Sequence, residues 1–261
     1  MKRVAAFAVA LSIAGAAQAQ DAPICSDRPA KANAVCTVPA GRIQLETSIT
    51  GWALTETGAG RTELLTFAST AAKLGLSDSS DVQIAFTPVA ELTSRNAGAS
   101  QRASGFGDIL VRYKHRLTAS GAPVQLALIP FVKLPTASRG LGNGRAEGGL
   151  AVPISFAPGG PAAITLGPEL DLLADADGSG RHIALVNVVN VSAAVAPRWT
   201  VAGELWTNLN LDPAGTIRQA SADAAVAYAL SRDLQLDAGV NLGLTDATPD
   251  VEIYLGMSLR F

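Results

Sequence analysis

Charged side chains recur at every second position in parts of this chain, and that spacing limits the chemistry open to them. In GDILVRYKHRL, Asp108, Arg112, Lys114 and Arg116 share one parity, while Ile109, Val111, Tyr113 and Leu117 share the other. Elsewhere single charges sit among polar or small residues at alternate positions: Glu46, Glu204, Asp223, Asp237 and Glu252, with Arg260 near the end. Glu63, Glu147, Glu169 and Asp171 fall on or near the same face. Extended backbone sends alternate side chains to opposite sides, so these residues are expected to line one surface of a sheet. Such a lining has two uses. It sets the selectivity of a water-filled passage, or it seals an interior with paired charges, each costly unless partnered. The residue pattern is compatible with both.

Other reactive residues carry less. His115 and His182 are the two histidines, and neither lies in a nucleophile motif such as GxSxG. A barrel enzyme hydrolysing lipid would need a serine or an acid close to His182 in space; the reading adopted is that the chain is not an enzyme. ADADGSG places Asp175, Asp177 and Ser179 at alternate positions, as in half of a calcium loop. Leu173 and Ala184 occupy the first and twelfth ligand places, however, so a turn with solvated acids is expected. GLGNGRAEGG lacks the Gly-Lys-Ser/Thr end of a phosphate loop. No metal or other cofactor is expected, and with no basic patch neither is a nucleic-acid partner.

The elements that must position the charges are strands. DVEIYLGMSLRF alternates Val251, Ile253, Leu255, Met257, Leu259 and Phe261 against Asp250, Glu252, Tyr254, Gly256, Ser258 and Arg260. The segment from Leu234 alternates as cleanly. With 48% hydrophobic and only 16% charged residues, the chain is apolar in bulk. Apart from one run near the start, it is never apolar in a block. Turn residues divide it into about twelve segments beginning near Gly41 and ending at Phe261. The connections SDSS, ASGA, APGGP, AP and SRD are short and follow even-numbered segments; TSRNAGASQRASGF, TASRGLGNG, ADADGSG and TDATPD are among the longer ones. Short turns at one end and long loops at the other describe an all-β, antiparallel transmembrane β-barrel with short periplasmic turns. Pro88, Pro130, Pro153 and Pro168 fall in or near segments and each requires a bulge, a strand end or a shifted boundary. A barrel of this size leaves space that side chains need not fill. The loops near Ser94 to Ser104 and Ala137 to Gly144 are expected to narrow it.

Residues 1–19 have the layout of a cleavable secretory signal: Lys2 and Arg3, an apolar run from Val4 to about Ala16, then Ala17-Gln18-Ala19. Removing them takes the formal charge from −2 to −4, because two cations and no acid leave with them. Residues 20–40 are read as a periplasmic segment ahead of the barrel at 41–261. Cys25 and Cys36, the only cysteines, are expected to form a disulfide in the oxidising compartment.

Several strings in order resemble one family of outer-membrane transporter-like β-barrels, named for a "putative MetA pathway of phenol degradation": SDRPA at 26–30, VPAGRIQLET at 38–47, GFGDILVRYKHRL at 105–117, FVKLPT at 131–136, LDAGVNLGLTDATPD at 236–250 and the closing GMSLRF. Ala30 and Ala137 depart from its usual pattern. The resemblance implies an outer-membrane barrel of a Gram-negative bacterium passing small molecules, hydrophobic or aromatic compounds among them, and it supplies no catalytic residues. The partners expected are outer-membrane lipid, a small-molecule solute, and the assembly machinery through the strand ending at Phe261.

Overall fold

The computed structural model describes residues 23–58 and 60–261; the signal segment lies outside them. Sixteen strands form one antiparallel sheet: β1 (Ile43–Thr57), β2 (Gly60–Ser77), β3 (Ser80–Phe86), β4 (Val89–Asn96), β5 (Ala99–Gly105), β6 (Ile109–Arg116), β7 (Val124–Leu134), β8 (Glu147–Ala151), β9 (Ile154–Gly159), β10 (Ala162–Leu166), β11 (Glu169–Ala174), β12 (Arg181–Ala196), β13 (Trp199–Asn210), β14 (Ile217–Ala229), β15 (Leu234–Gly243) and β16 (Val251–Arg260). Four pairs, β3/β4, β5/β6, β8/β9 and β10/β11, are each one wall strand interrupted, so among the described residues the wall has twelve. Pairing of β1 with β16 from Gln44↔Arg260 to Leu54↔Val251 closes it into a barrel and leaves the last strand no free edge.

Prolines explain three of the four interruptions. Pro88, Pro153 and Pro168 stand in the gaps between β3 and β4, β8 and β9, and β10 and β11, where a residue without an N–H cannot continue a ladder. Pro130 remains inside β7, opposite Leu150. The run Ser94 to Ser104, expected as a loop, is instead a hairpin: β4 and β5 pair from Asn96↔Ala99 to Ala90↔Gly105, across a turn at Ala97 and Gly98, both at positive φ. Its polar composition conceals a ladder that extends the wall, with β4 also paired to β2 from Gly60↔Asn96 to Phe67↔Val89.

The burial pattern is inverted relative to a soluble protein. The fully buried side chains include Lys114, Gln44, Gln83 and Asp81, whereas Leu76, Ile84, Leu170, Val191, Leu205, Leu242 and Leu255 are exposed on the outside. Sheets that meet water outside put apolar groups within; polar lining and an apolar outer band mark a barrel whose outer solvent is lipid. The connections at 78–79, 160–161, 197–198 and 230–233 define one end, which also holds both ends of the wall; this is called here the near end. The far end holds the connections 135–146, 175–180, 211–216 and 244–250.

One local feature alters which side chains face inward. Ile49 and Ala68 lie between paired residues, with Ser48↔Ser69 followed by Thr50↔Phe67, and Ala68 adopts a φ of 54°. The extra residue on each strand exchanges the faces beyond it. Leu64 and Thr66 line the lumen next to Arg28, which places Glu63 on the outer face, a correction to its expected position.

Candidate functional site in the barrel lumen

The lumen is occupied by the chain's own N-terminal segment. Residues 24–40 contact side chains of β13, β14, β15, β16, β1, β2, β3 and β6, a span of eight neighbouring wall strands that only a segment inside the wall can touch together. The segment enters and leaves at the near end. Ile24 donates its N–H to the Arg232 carbonyl in the β14–β15 turn, and Thr37 donates its hydroxyl to the Asp78 carbonyl in the β2–β3 turn. Cys25 and Cys36 are bridged, Cα to Cα 6.4 Å, tying the two limbs of this inward loop. The sequence reading placed the segment ahead of the wall; its contacts put it within the near half of the lumen.

The charges pair segment to wall. Asp27 meets Lys73 at 2.5 Å and Lys114 at 2.8 Å, and Lys73 also meets Glu46 at 2.6 Å. Arg28 forms two bonds to Asp237, at 2.6 and 3.2 Å, and lies 5.6 Å from the Tyr254 ring centroid. Lys31 reaches deepest: 3.1 Å to Asp223, 4.0 Å to Glu252, 2.7 Å to Ser221 Oγ and 4.7 Å from the Trp206 ring centroid. Glu204 accepts the backbone N–H groups of Lys31 and Ala32 at 2.7 and 2.9 Å. Arg112 donates to Asn33. Burial pushes the Asp27 carboxyl up, but the Lys114 and Lys73 ammonium groups and the Arg112 guanidinium outweigh it and hold the carboxyl well below its ordinary range.

Seven of the nine sequence-predicted positions, Glu46, Arg112, Lys114, Glu204, Asp223, Asp237 and Glu252, therefore meet the segment. Arg260 instead closes on Asp233 of the near-end turn at 2.6 Å. Asp108 lies toward the far end, where Lys133 bridges it at 3.2 Å to Glu147 at 2.8 Å. The connection after β7 packs there as well: Ala137 donates to Asp108, and Ser138 exchanges bonds with Phe106 through its N–H and its hydroxyl. Sequence reasoning missed Asp27, Arg28, Lys31, Asn33, Lys73 and Asp81. The cluster of three charges in SDRPAK between two cysteines was the signal for Asp27, Arg28 and Lys31; nothing local pointed to Asn33, Lys73 or Asp81.

His182 places Nδ1 2.8 Å from Asp175 and 3.6 Å from Asp212, and among the described residues its Nε2 has no hydrogen-bond partner. Of the two ADADGSG acids, Asp175 bonds His182 and Asp177 accepts the Ser179 N–H, which lowers the Asp177 carboxyl, while Asp212 of the following connection accepts the Ala176 N–H. Among the described residues no group of three or more His, Cys, Asp or Glu is arranged to hold a metal ion.

A closed antiparallel wall, polar within and apolar without, defines a membrane-spanning β-barrel of the outer-membrane kind. The chain belongs to the family described as "Putative MetA-pathway of phenol degradation", whose model matches residues 26–261. Among solved structures it is similar to the COG4313 outer membrane channel from Pseudomonas putida F1, at 15% identity and TM-score 0.65, over 89% of this chain and 100% of that one. It is also similar to the translocator domain of the autotransporter NalP from Neisseria meningitidis, at 11% identity and TM-score 0.53, over 86% and 90%. These likenesses concern the fold. No curated protein matches.

Proposed function

We propose that the protein is an outer-membrane channel for small molecules, hydrophobic or aromatic compounds among them, with its near end in the periplasm. Passage follows the lumen past the mixed charges of the wall, and the N-terminal segment controls it. The inverted polarity of the barrel supports the membrane setting. The observation that carries the reading is the segment held inside by pairs to separate wall strands: a lumen filled by a discrete loop on its own attachments can be emptied without disturbing the ladder. The family description, which refers to phenol degradation, supports a small-molecule solute, and the likeness to the Pseudomonas putida outer membrane channel supports a channel.

The same plug favours one rival, a sealed structural barrel. Planar-bilayer recording separates the two. The cleaved, refolded protein is compared with a variant lacking residues 23–38, and current steps that enlarge on deletion, with ion selectivity shifted by Arg112→Glu, support a gated channel. Silence from both, with insertion verified, rejects it. The other rival, a lipid hydrolase, rests on His182; unchanged lipid hydrolysis in His182→Ala removes that reading.

A further inference from the structure

On the outer surface of the wall, cross-strand partners of β7, β8 and β11 form a small grid. Val132 pairs with Gly148 and Gly148 with Leu172; Pro130 pairs with Leu150 and Leu150 with Leu170. Paired residues share a face, and Val132, Leu150, Leu170 and Leu172 are all exposed. Gly148 contributes no side chain at the centre of the first row. A recess of about 400 Å3 results, with Val132 and Leu172 on its sides and Leu150 and Leu170 beyond.

The far-end rim of this recess carries a cation. Arg181 begins β12 on the parity of Ile183 and Leu185, which are exposed. Its guanidinium passes the end of β11, where Ala174 is its pair partner, and donates through Nη1 to the Ala146 carbonyl at 2.7 Å. Four of its five N–H donors are left for another acceptor, and among the described residues no carboxylate pairs with it. The nearest acid of the recess, Glu147, is already bound to Lys133, to Asn143 and to the Ala174 N–H.

Two comparisons within the molecule bear on this pairing of an apolar recess with a cation. The exterior recess along β13 to β16, lined by Val201, Ala224, Ala238 and Val240 among others, has no charged residue in its lining. The far-end arginines of β2, β4 and β5 are neutralised: Arg61 and Arg95 by Glu63 at 2.9 and 3.2 Å, and Arg102 by Glu91. An apolar slot ending under an uncompensated guanidinium matches a molecule with a long apolar chain and an anionic head.

We propose that this recess binds a phosphorylated acyl lipid of the far-end leaflet. One acyl chain lies over Gly148 between Val132 and Leu172, and the headgroup phosphate accepts hydrogen bonds from Arg181. The site requires the membrane-spanning fold and is independent of whether the lumen conducts.

Native mass spectrometry of the folded mature protein in detergent tests it, with dimyristoyl phosphatidate and dimyristoylglycerol as probes that share their chains and differ in phosphate. The wild type is expected to retain phosphatidate about tenfold more tightly than diacylglycerol. Arg181→Gln should abolish that preference, Arg181→Lys should keep most of it, and Val132→Trp should weaken both lipids by filling the slot. Arg102→Gln, on an arginine already paired, should change nothing. Heat-modifiable mobility on gels identifies folded variants, and the wild-type comparison needs no variant at all. Equal retention of the two lipids by the wild type, or undiminished phosphatidate preference in folded Arg181→Gln, overturns the proposal.

Discussion

Replacing Asp27 by Asn keeps the shape of the side chain and removes the charge that two buried lysines share. Lys73 retains Glu46 at 2.6 Å. Lys114 has no other carboxylate within ion-pair distance among the described residues and keeps only the carbonyls of Ala34, at 2.8 Å, and Cys36, at 3.5 Å. Breaking a buried pair from one side costs about 3–5 kcal/mol, because the remaining charge stays desolvated. The lower figure applies here, since an amide oxygen still accepts from an ammonium. At about 1.4 kcal/mol per tenfold, 3 kcal/mol moves the balance between seated and unseated segment by about two orders of magnitude. Hydrogen exchange at the amides of Asp27, Lys31, Ala32 and Val38, all bonded to side-chain carboxylates, reports seating directly, and amides of β12 to β14 report the wall. Exchange in the segment should accelerate about a hundredfold with the wall unchanged. Unaltered exchange in the segment would refute the reasoning, because it would mean that the pairs to Asp237, Asp223 and Glu204 hold the segment without Asp27.

Further outcomes follow from the same contacts. The depressed Asp27 carboxyl stabilises seating fully above its ordinary value of 3.8 and loses that contribution only as pH falls through its lower folded value; segment exchange should therefore show no Asp27-dependent step between pH 7 and about pH 4, which a comparison with Asp27→Asn across that range checks. Replacing both cysteines by serine opens a loop of sequence separation 11 and should favour the unseated segment by about 3 kcal/mol, read as faster exchange at Ala32 with the barrel still resistant to dodecyl sulfate. In Gly75→Ala the added Cβ would lie 2.0 Å from the Pro39 carbonyl oxygen and 2.5 Å from that of Val38, so the segment's exit must shift at about 1–3 kcal/mol; exchange at Val38 and Arg42 measures it. Replacing Phe261, whose N–H donates to the Ile43 carbonyl across the closing strands at 2.8 Å, by Pro removes that donor and should lower the fraction of heat-modifiable barrel formed in cells.

Residue order alone determined most of the wall, because period-two alternation is a local property. Segments such as Leu234 onward or Val251 to Arg260 announce both their strand state and their two faces within ten residues, and the short connections fix which ends lie together. The inward set followed from the same rule, as Glu204, Asp223, Asp237 and Glu252 illustrate. Tertiary structure decided what those charges meet. Arg28 and Asp237 are 209 residues apart, and Lys31 and Ser221 are 190 apart, so no local pattern links them; an inward carboxylate reads the same whether water or a lysine faces it. The exchange of faces at Ile49 and Ala68 was hidden for a related reason: a bulge depends on two opposed strands, and Glu63 moved outward with it. The hairpin at Asn96 and Ala99 was hidden because its sequence is polar on both sides, and only the ladder distinguishes such a stretch from a loop.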